Sequence, residues 1–220
     1  MTRPLRSLLV ALLSFAFVSE AAAQSQSSIT FSLAGGFNVS RLSFPLSIAD
    51  LLPDELDLDL DSGSRIGFVG GGLVDFGVAP GTSILTGGLV STRGGKLDFD
   101  VPGFGTVEAD TRMIYVDVPA FLAVGVAGGG QHRFELIGGA MLGFTVQGKQ
   151  SVSGFGQSVD QEFTDELPAT DVGLSIGGRY TRGHLFGAAY YTWGLTDLTD
   201  GGSDEPIKHR YLTVLGGWRF

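Results

Sequence analysis

A period of two runs through this chain and limits what it can fold into. Over 112–126, every even position after Arg112 is apolar, from Ile114 to Val126, while Thr111, Tyr115, Asp117 and Gly125 stand among the odd ones. Successive side chains of a strand point to opposite faces, so this alternation marks a strand with one apolar and one polar side. The scheme recurs. Phe134, Leu136, Ala140, Leu142, Phe144 and Val146 oppose Arg133, Glu135, Thr145 and Gln147. Ile66, Phe68, Val74, Phe76 and Val78 oppose Arg65 and Asp75. Ile29, Phe31, Leu33, Phe37 and Val39 oppose Thr30, Ser32, Asn38 and Ser40. Val172, Leu174, Ile176 and Tyr180 oppose Asp171, Ser175 and Arg179. No stretch sustains a 3.6-residue period, and 35 glycines in 220 residues work against helices.

The pattern predicts eight strands, at 29–42, 65–78, 83–98, 111–126, 132–148, 169–181, 184–196 and 208–220. In 83–98 the apolar face is ambiguous, because Ile84 and Val90 compete with Leu85 and Leu89. Strands in globular proteins are usually about 5–6 residues long. A tilted strand needs about 9–11 residues to cross a bilayer. These segments are long enough to cross and project. The connections alternate between short (Ala79–Thr82, Ala127–Gln131, Arg182–Gly183) and long (Ser43–Ser64, Phe99–Asp110, Lys149–Pro168, Asp197–Ile207). That asymmetry belongs to outer-membrane barrels, which have short periplasmic turns and long outer loops. The expected fold is an all-β, eight-stranded, up-and-down antiparallel transmembrane barrel, with a soluble all-β fold as the alternative.

The N-terminus fits export. Arg3 and Arg6 precede an apolar run from Leu8 to Val18, and Ala21-Ala22-Ala23 supplies small residues for cleavage. This reads as a secretory signal peptide over 1–23, leaving a barrel domain at 24–220 with both termini periplasmic. The chain has no Cys, so no disulfide scaffold or Cys-ligated metal is possible. Its net charge of −9 disfavours nucleic acid as a partner.

If the apolar faces meet lipid, the polar faces turn inward. Arg65, Asp75, Asp117, Arg133, Glu135, Asp171, Arg179 and Arg219 then form a lumen charge network. An eight-strand interior is just wide enough to be filled by side chains, and buried charges of both signs must pair. The expectation is a salt-bridged, largely plugged lumen. Pro119 lies inside a strand, where it cannot donate to the ladder, so a bulge or local break is expected there.

The last strand alternates through Leu212, Val214, Gly216 and Trp218 to a terminal Phe220. It resembles the C-terminal signature by which the barrel-assembly machinery reads bacterial outer-membrane proteins. Other segments resemble a particular family. Tyr115-Val-Asp-Val-Pro119-Ala-Phe-Leu122 is similar to the tyrosine–x–acid–x–proline–hydrophobic strand of the outer-membrane β-barrel domain family that includes PorT. The Ile137-Gly-Gly-Ala-Met-Leu-Gly143 core, Tyr190-Tyr-Thr-Trp-Gly-Leu-Thr-Asp197 and Arg93-Gly-Gly-Lys96 follow in family order and spacing. One departure is Gly87-Gly88, where the family commonly has an acid or amide. The resemblance implies fold and location more than activity.

Chemistry outside the barrel has little to stand on. Asp57, Asp59 and Asp61 alternate with Leu in an acidic stretch and could offer oxygens to a hard cation, but the spacing and Gly of a known calcium loop are missing. The ordinary reading is a solvated acidic face. A lipid hydrolase needs a nucleophile and base at the outer rim. His132 and His184 flank short turns, and His209 has no Ser at the required spacing. The sequence therefore reads as a non-enzymatic outer-membrane protein without cofactor, structural or surface-interacting. Its partners are outer-membrane lipid and the assembly machinery, and any partner of the outer loops is unidentified. A narrow passive pore, or a component of a secretion or gliding apparatus, is the alternative.

Overall fold

The computed structural model describes residues 28–43, 60–101, 105–129, 131–154, 157–162, 169–197 and 208–220. The described residues form nine strands: β1 (Ile29–Ser43), β2 (Leu60–Ala79), β3 (Thr82–Val101), β4 (Gly105–Gly129), β5 (His132–Gly154), β6 (Gln157–Glu162), β7 (Thr170–Arg182), β8 (Leu185–Gly194) and β9 (Lys208–Arg219). Every pairing is antiparallel. β1 pairs with both β2 and β9, and β4 pairs with both β3 and β5, so the sheet closes on itself. β6 and β7 both lie against β5, at 149–154 and 132–144 respectively, and together make one interrupted stave. The result is an eight-stave barrel.

Closure explains the alternation. Ile29, Phe31, Leu33, Phe37, Ile66, Phe68, Leu136, Ile176 and Leu212 are all exposed on the outer wall. The inner face is buried. Tight turns at Pro80-Gly81 and Gly183-His184 join staves at one end, here the turn end, and Gly81 and Gly183 adopt positive φ of 76° and 58°. Such turns favour Gly because it has no Cβ to clash.

Two loop expectations change. The segments 99–110 and 149–168 are not simply loops. β3 and β4 run on as a hairpin to Val101 and Gly105, and β5 and β6 form another over 149–162. Beyond the lipid, both faces of a strand can be polar, so the signal that marks the wall disappears while the ladder continues. From Arg93 to Val101, β3 extends roughly 25 Å at about 3.3 Å per residue. β1 ends at Ser43 and β8 at Gly194, so the described sheet projects on one side of the barrel.

At Pro119 the structure shows the local break expected there, without a bulge. It stays in register with Met141 on β5. On its other side the ladder to β3 omits the pairs opposite Val118 and Pro119, then resumes unchanged. Gly87-Gly88 is what faces this gap. The ambiguous face of β3 is settled by burial: Leu85, Leu89, Ser91 and Arg93 are buried, whereas Ile84 and Val90 are exposed.

Candidate functional site: a lumen in three layers

At the turn end, Arg179 of β7 reaches across the lumen to β2. Its Nη1 and Nη2 donate to Asp75 Oδ2 and Oδ1 at 2.9 and 2.7 Å, and Nε donates to Glu135 Oε2 at 2.6 Å. Bidentate pairing suits the planar guanidinium and is strong for a hydrogen bond between charges. Arg133 Nη2 lies 2.7 Å from Glu135 Oε1, and Arg219 Nη2 lies 4.0 Å from Asp75 Oδ2. Ser83 Oγ donates to Asp75 at 3.2 Å. Asp75, Glu135 and Arg179 are buried, while Arg133 keeps 38% of its side chain exposed at the mouth.

A dry layer follows. Leu73, Leu85, Leu89, Phe121, Ile137, Met141, Phe186 and Leu215 are buried in one cluster inside the barrel. Phe121 meets Tyr190 edge-on, with ring centroids 5.4 Å apart. The polar-inside expectation missed this layer, although the sequence carried its signal. Ala120-Phe121-Leu122-Ala123-Val124 is apolar on both faces, and a strand buried on both sides reads as a continuous apolar run.

Towards the other end, Arg93 of β3 bridges two carboxylates. Its Nη2 pairs with Asp117 Oδ1, and Nη1 donates to Asp171 Oδ2 at 3.0 Å. Ser91 Oγ donates to Asp117 Oδ2 at 2.6 Å. The guanidinium carbon sits 4.5 Å from the Tyr115 ring centroid and 4.2 Å from that of Tyr211, between two π faces. His209 Nδ1 stands 3.6 Å from Asp171 Oδ2, and its ring meets Tyr115 edge-on. Arg93 and His209 are each 1% exposed.

The eight residues read from sequence as lumen charges thus divide. Asp75, Glu135, Arg179, Arg133 and Arg219 meet at the turn end, and Asp117 and Asp171 lie above the dry layer. Arg65 stands apart. It pairs with Asp110, both partly exposed, and joins neither cluster. It keeps the inward parity of Gly67 and Val69 on β2, opposite buried Ser40, but lies too far from the turn end to reach the first cluster and is held by Asp110 and not by the acids of the second. Arg93, the centre of the upper cluster, entered the sequence reading only as part of a family motif. The face of β3 was ambiguous, and its two acidic partners lie 24 and 78 residues away.

Asp57 and Asp59 lie outside the described residues, and Asp61 falls in β2 opposite Asp98. Among the described residues, no group of three or more His, Asp or Glu is placed to hold a metal ion. Trp218 is exposed and stacks on His184 at 5.3 Å with an 8° interplanar angle. The Phe220 N–H donates to Phe31 O at 2.9 Å, which fastens the end of the chain to β1.

A closed antiparallel barrel, apolar outside and ion-paired inside, is the architecture of a membrane protein that crosses with strands. The chain belongs to the outer membrane protein beta-barrel domain family, which it matches over residues 22–200. No curated protein matches it. Similar solved structures include Ail, the attachment invasion locus protein of Yersinia pestis, at 16% identity over 87% of this chain and 98% of that one, with a TM-score of 0.42. Neisserial surface protein A is similar at 11% identity over 89% and 100%, with a TM-score of 0.42. The outer membrane protease OmpT from Escherichia coli is similar at 10% identity over 90% and 97%, with a TM-score of 0.44.

Proposed function

We propose that this outer-membrane barrel acts through what it displays beyond the lipid and not through its lumen. It is a structural or surface-interaction protein, non-enzymatic, held closed from within. The observation that carries this reading is the layered lumen: Arg179 and Arg93 each cross it, with buried Leu, Phe, Ile and Met side chains between them. An ion on this path meets no continuous polar lining. The one-sided sheet of β3, β4, β5 and β6 supplies the surface. Its exposed Val152 and Val159 are a cross-strand pair, set beside an exposed Lys149–Glu162 ion pair. Against an enzymatic role, His132 and His184 stack on Tyr180 and Trp218 at the turn end, and His209 is enclosed.

In this reading, the signal peptide at 1–23 is removed, the turn end and both termini face the periplasm, and Trp218 and Phe220 are presented to the assembly machinery. The test is single-channel recording of purified protein in planar bilayers, alongside heat modifiability of the same sample. A band that shifts on boiling, with no conducting events, is the expected result. Steady conductance by the folded barrel would favour the narrow pore. Stable co-purification with a multiprotein apparatus would favour the secretion or gliding reading.

A further inference from the structure

The outward face of β9 changes character along its length. Trp218, Val214 and Leu212 share that face near the turns, and Arg210 and Lys208 continue it at the other end. Arg210 belongs to a row. Leu174, Trp193, Arg210 and Arg41 are directly paired from β7 through β8 and β9 to β1, and all four are exposed. The next outward row towards the turns is Ile176, Tyr191, Leu212 and Val39. The apolar wall therefore ends at the arginines. Trp193 stands at that level, where amphipathic rings sit between hydrocarbon and water.

Arg41 and Arg210 lie directly opposite each other on neighbouring strands. Cβ atoms are about 4.5–5.5 Å apart in such pairs, and like charges there are destabilising. Lys208 follows about 7 Å beyond Arg210 on the same face. A like-charged pair elsewhere on the wall, Arg112 opposite Lys149, has an acid at hand: Glu162 lies 3.1 Å from Lys149. Among the described residues, no acid pairs with Lys208 or Arg210. In a chain of net charge −9, three cations on one face at the edge of the wall suit an anion from outside the chain. Two guanidinium forks at cross-strand spacing fit the several oxygens of one phosphate.

The ring beside the arginines narrows the chemistry. Trp193 meets Tyr191 edge-on at 4.7 Å and keeps 43% of its surface exposed. An exposed indole can pack on the apolar face of a sugar. Exposed Ile176 and Leu212 in the row below offer a surface for acyl chains. A phosphoglycerol head would use the cations and leave the ring idle.

We propose that the rim formed by β8, β9 and β1 binds one phosphorylated glycolipid, with a phosphate between Arg41 and Arg210, its sugar on Trp193 and its acyl chains along Leu212 and Val39. Lys208 is placed to meet a second anionic group. The proposal rests on the reading that the barrel acts through the end away from its tight turns, and it gives that end a ligand.

The test is native mass spectrometry of folded protein in neutral detergent with three lipids at equal concentration: a diphosphorylated, acylated glucosamine disaccharide, the same lipid without phosphates, and phosphatidylglycerol. Wild type should retain one diphosphorylated glycolipid in preference to the other two. Arg210→Gln should weaken that retention about fivefold, the worth of one basic residue near a charged lipid surface, and Arg41→Gln/Arg210→Gln about 25-fold. Trp193→Ala should narrow the preference over phosphatidylglycerol. Arg182→Gln, at the turn end, should bind as wild type does. Heat modifiability checks the fold of each variant, and the competition on wild type needs no variant. Equal retention of the dephosphorylated lipid or of phosphatidylglycerol, or a folded double variant that binds as wild type, would overturn the site. Binding in micelles depends on neither orientation nor conductance, so a barrel that retains no lipid loses this site while the closed lumen is judged by its own recording.

Discussion

The two ion clusters of the lumen are built from the same side chains under different conditions. At the turn end, three Arg serve two carboxylates, and Arg133 and Arg219 keep contact with the mouth. Above the dry layer, one Arg serves two carboxylates beside His209, with no other Arg or Lys in the cluster among the described residues, and two tyrosine rings seal it from water. The first cluster has a surplus of cations and a route to solvent. The second has a surplus of anions and neither alternative. Redundancy and hydration, more than the number of ion pairs, decide how much a barrel depends on one residue.

This difference gives a graded set of expected outcomes. Arg93→Met should be the most damaging, because it strands two buried carboxylates; breaking a buried pair from one side costs about 3–5 kcal/mol. Urea unfolding in micelles measures it. Adding Asp117→Asn and Asp171→Asn should recover most of the loss, since replacing all partners removes the uncompensated charge. If the triple variant is no more stable than Arg93→Met, the charge argument for this cluster fails. Arg179→Met should cost less, about 1.5–3 kcal/mol, the range for hydrogen bonds to charged groups, because Arg133 and Arg219 stay beside the stranded acids. Equal losses at Arg93 and Arg179 would erase the contrast between the clusters. Lys149→Ala sets the floor. Its partner Glu162 and Lys149 itself have 65% and 54% of their side chains exposed, so the change should be under about 0.5 kcal/mol and should fade with salt.

Particular elements mark how far the sequence could be read. β1, β7 and β9 were legible nearly to the residue, because lipid on one side and a filled lumen on the other enforce strict alternation. The projecting parts of β3 to β6 were read as loops, because water on both sides removes that constraint. The dry layer was missed because an apolar residue facing in looks like one facing out. Asp75, Glu135 and Arg179 could be assigned to the lumen from their faces alone. Arg65 faces inward as its parity says, but only its height beside Asp110 shows that it joins neither cluster.

The sequence by itself determined the number of staves, the face of most side chains and the tight turns, since a period of two and turn chemistry are local properties. Only the tertiary structure decided the heights at which those faces meet. Arg93 finds Asp171 across 78 residues because closure and stagger bring β3 and β7 to opposite walls of one narrow lumen. Periodicity says which way a side chain points. Register says what it meets, and register is a property of the closed barrel.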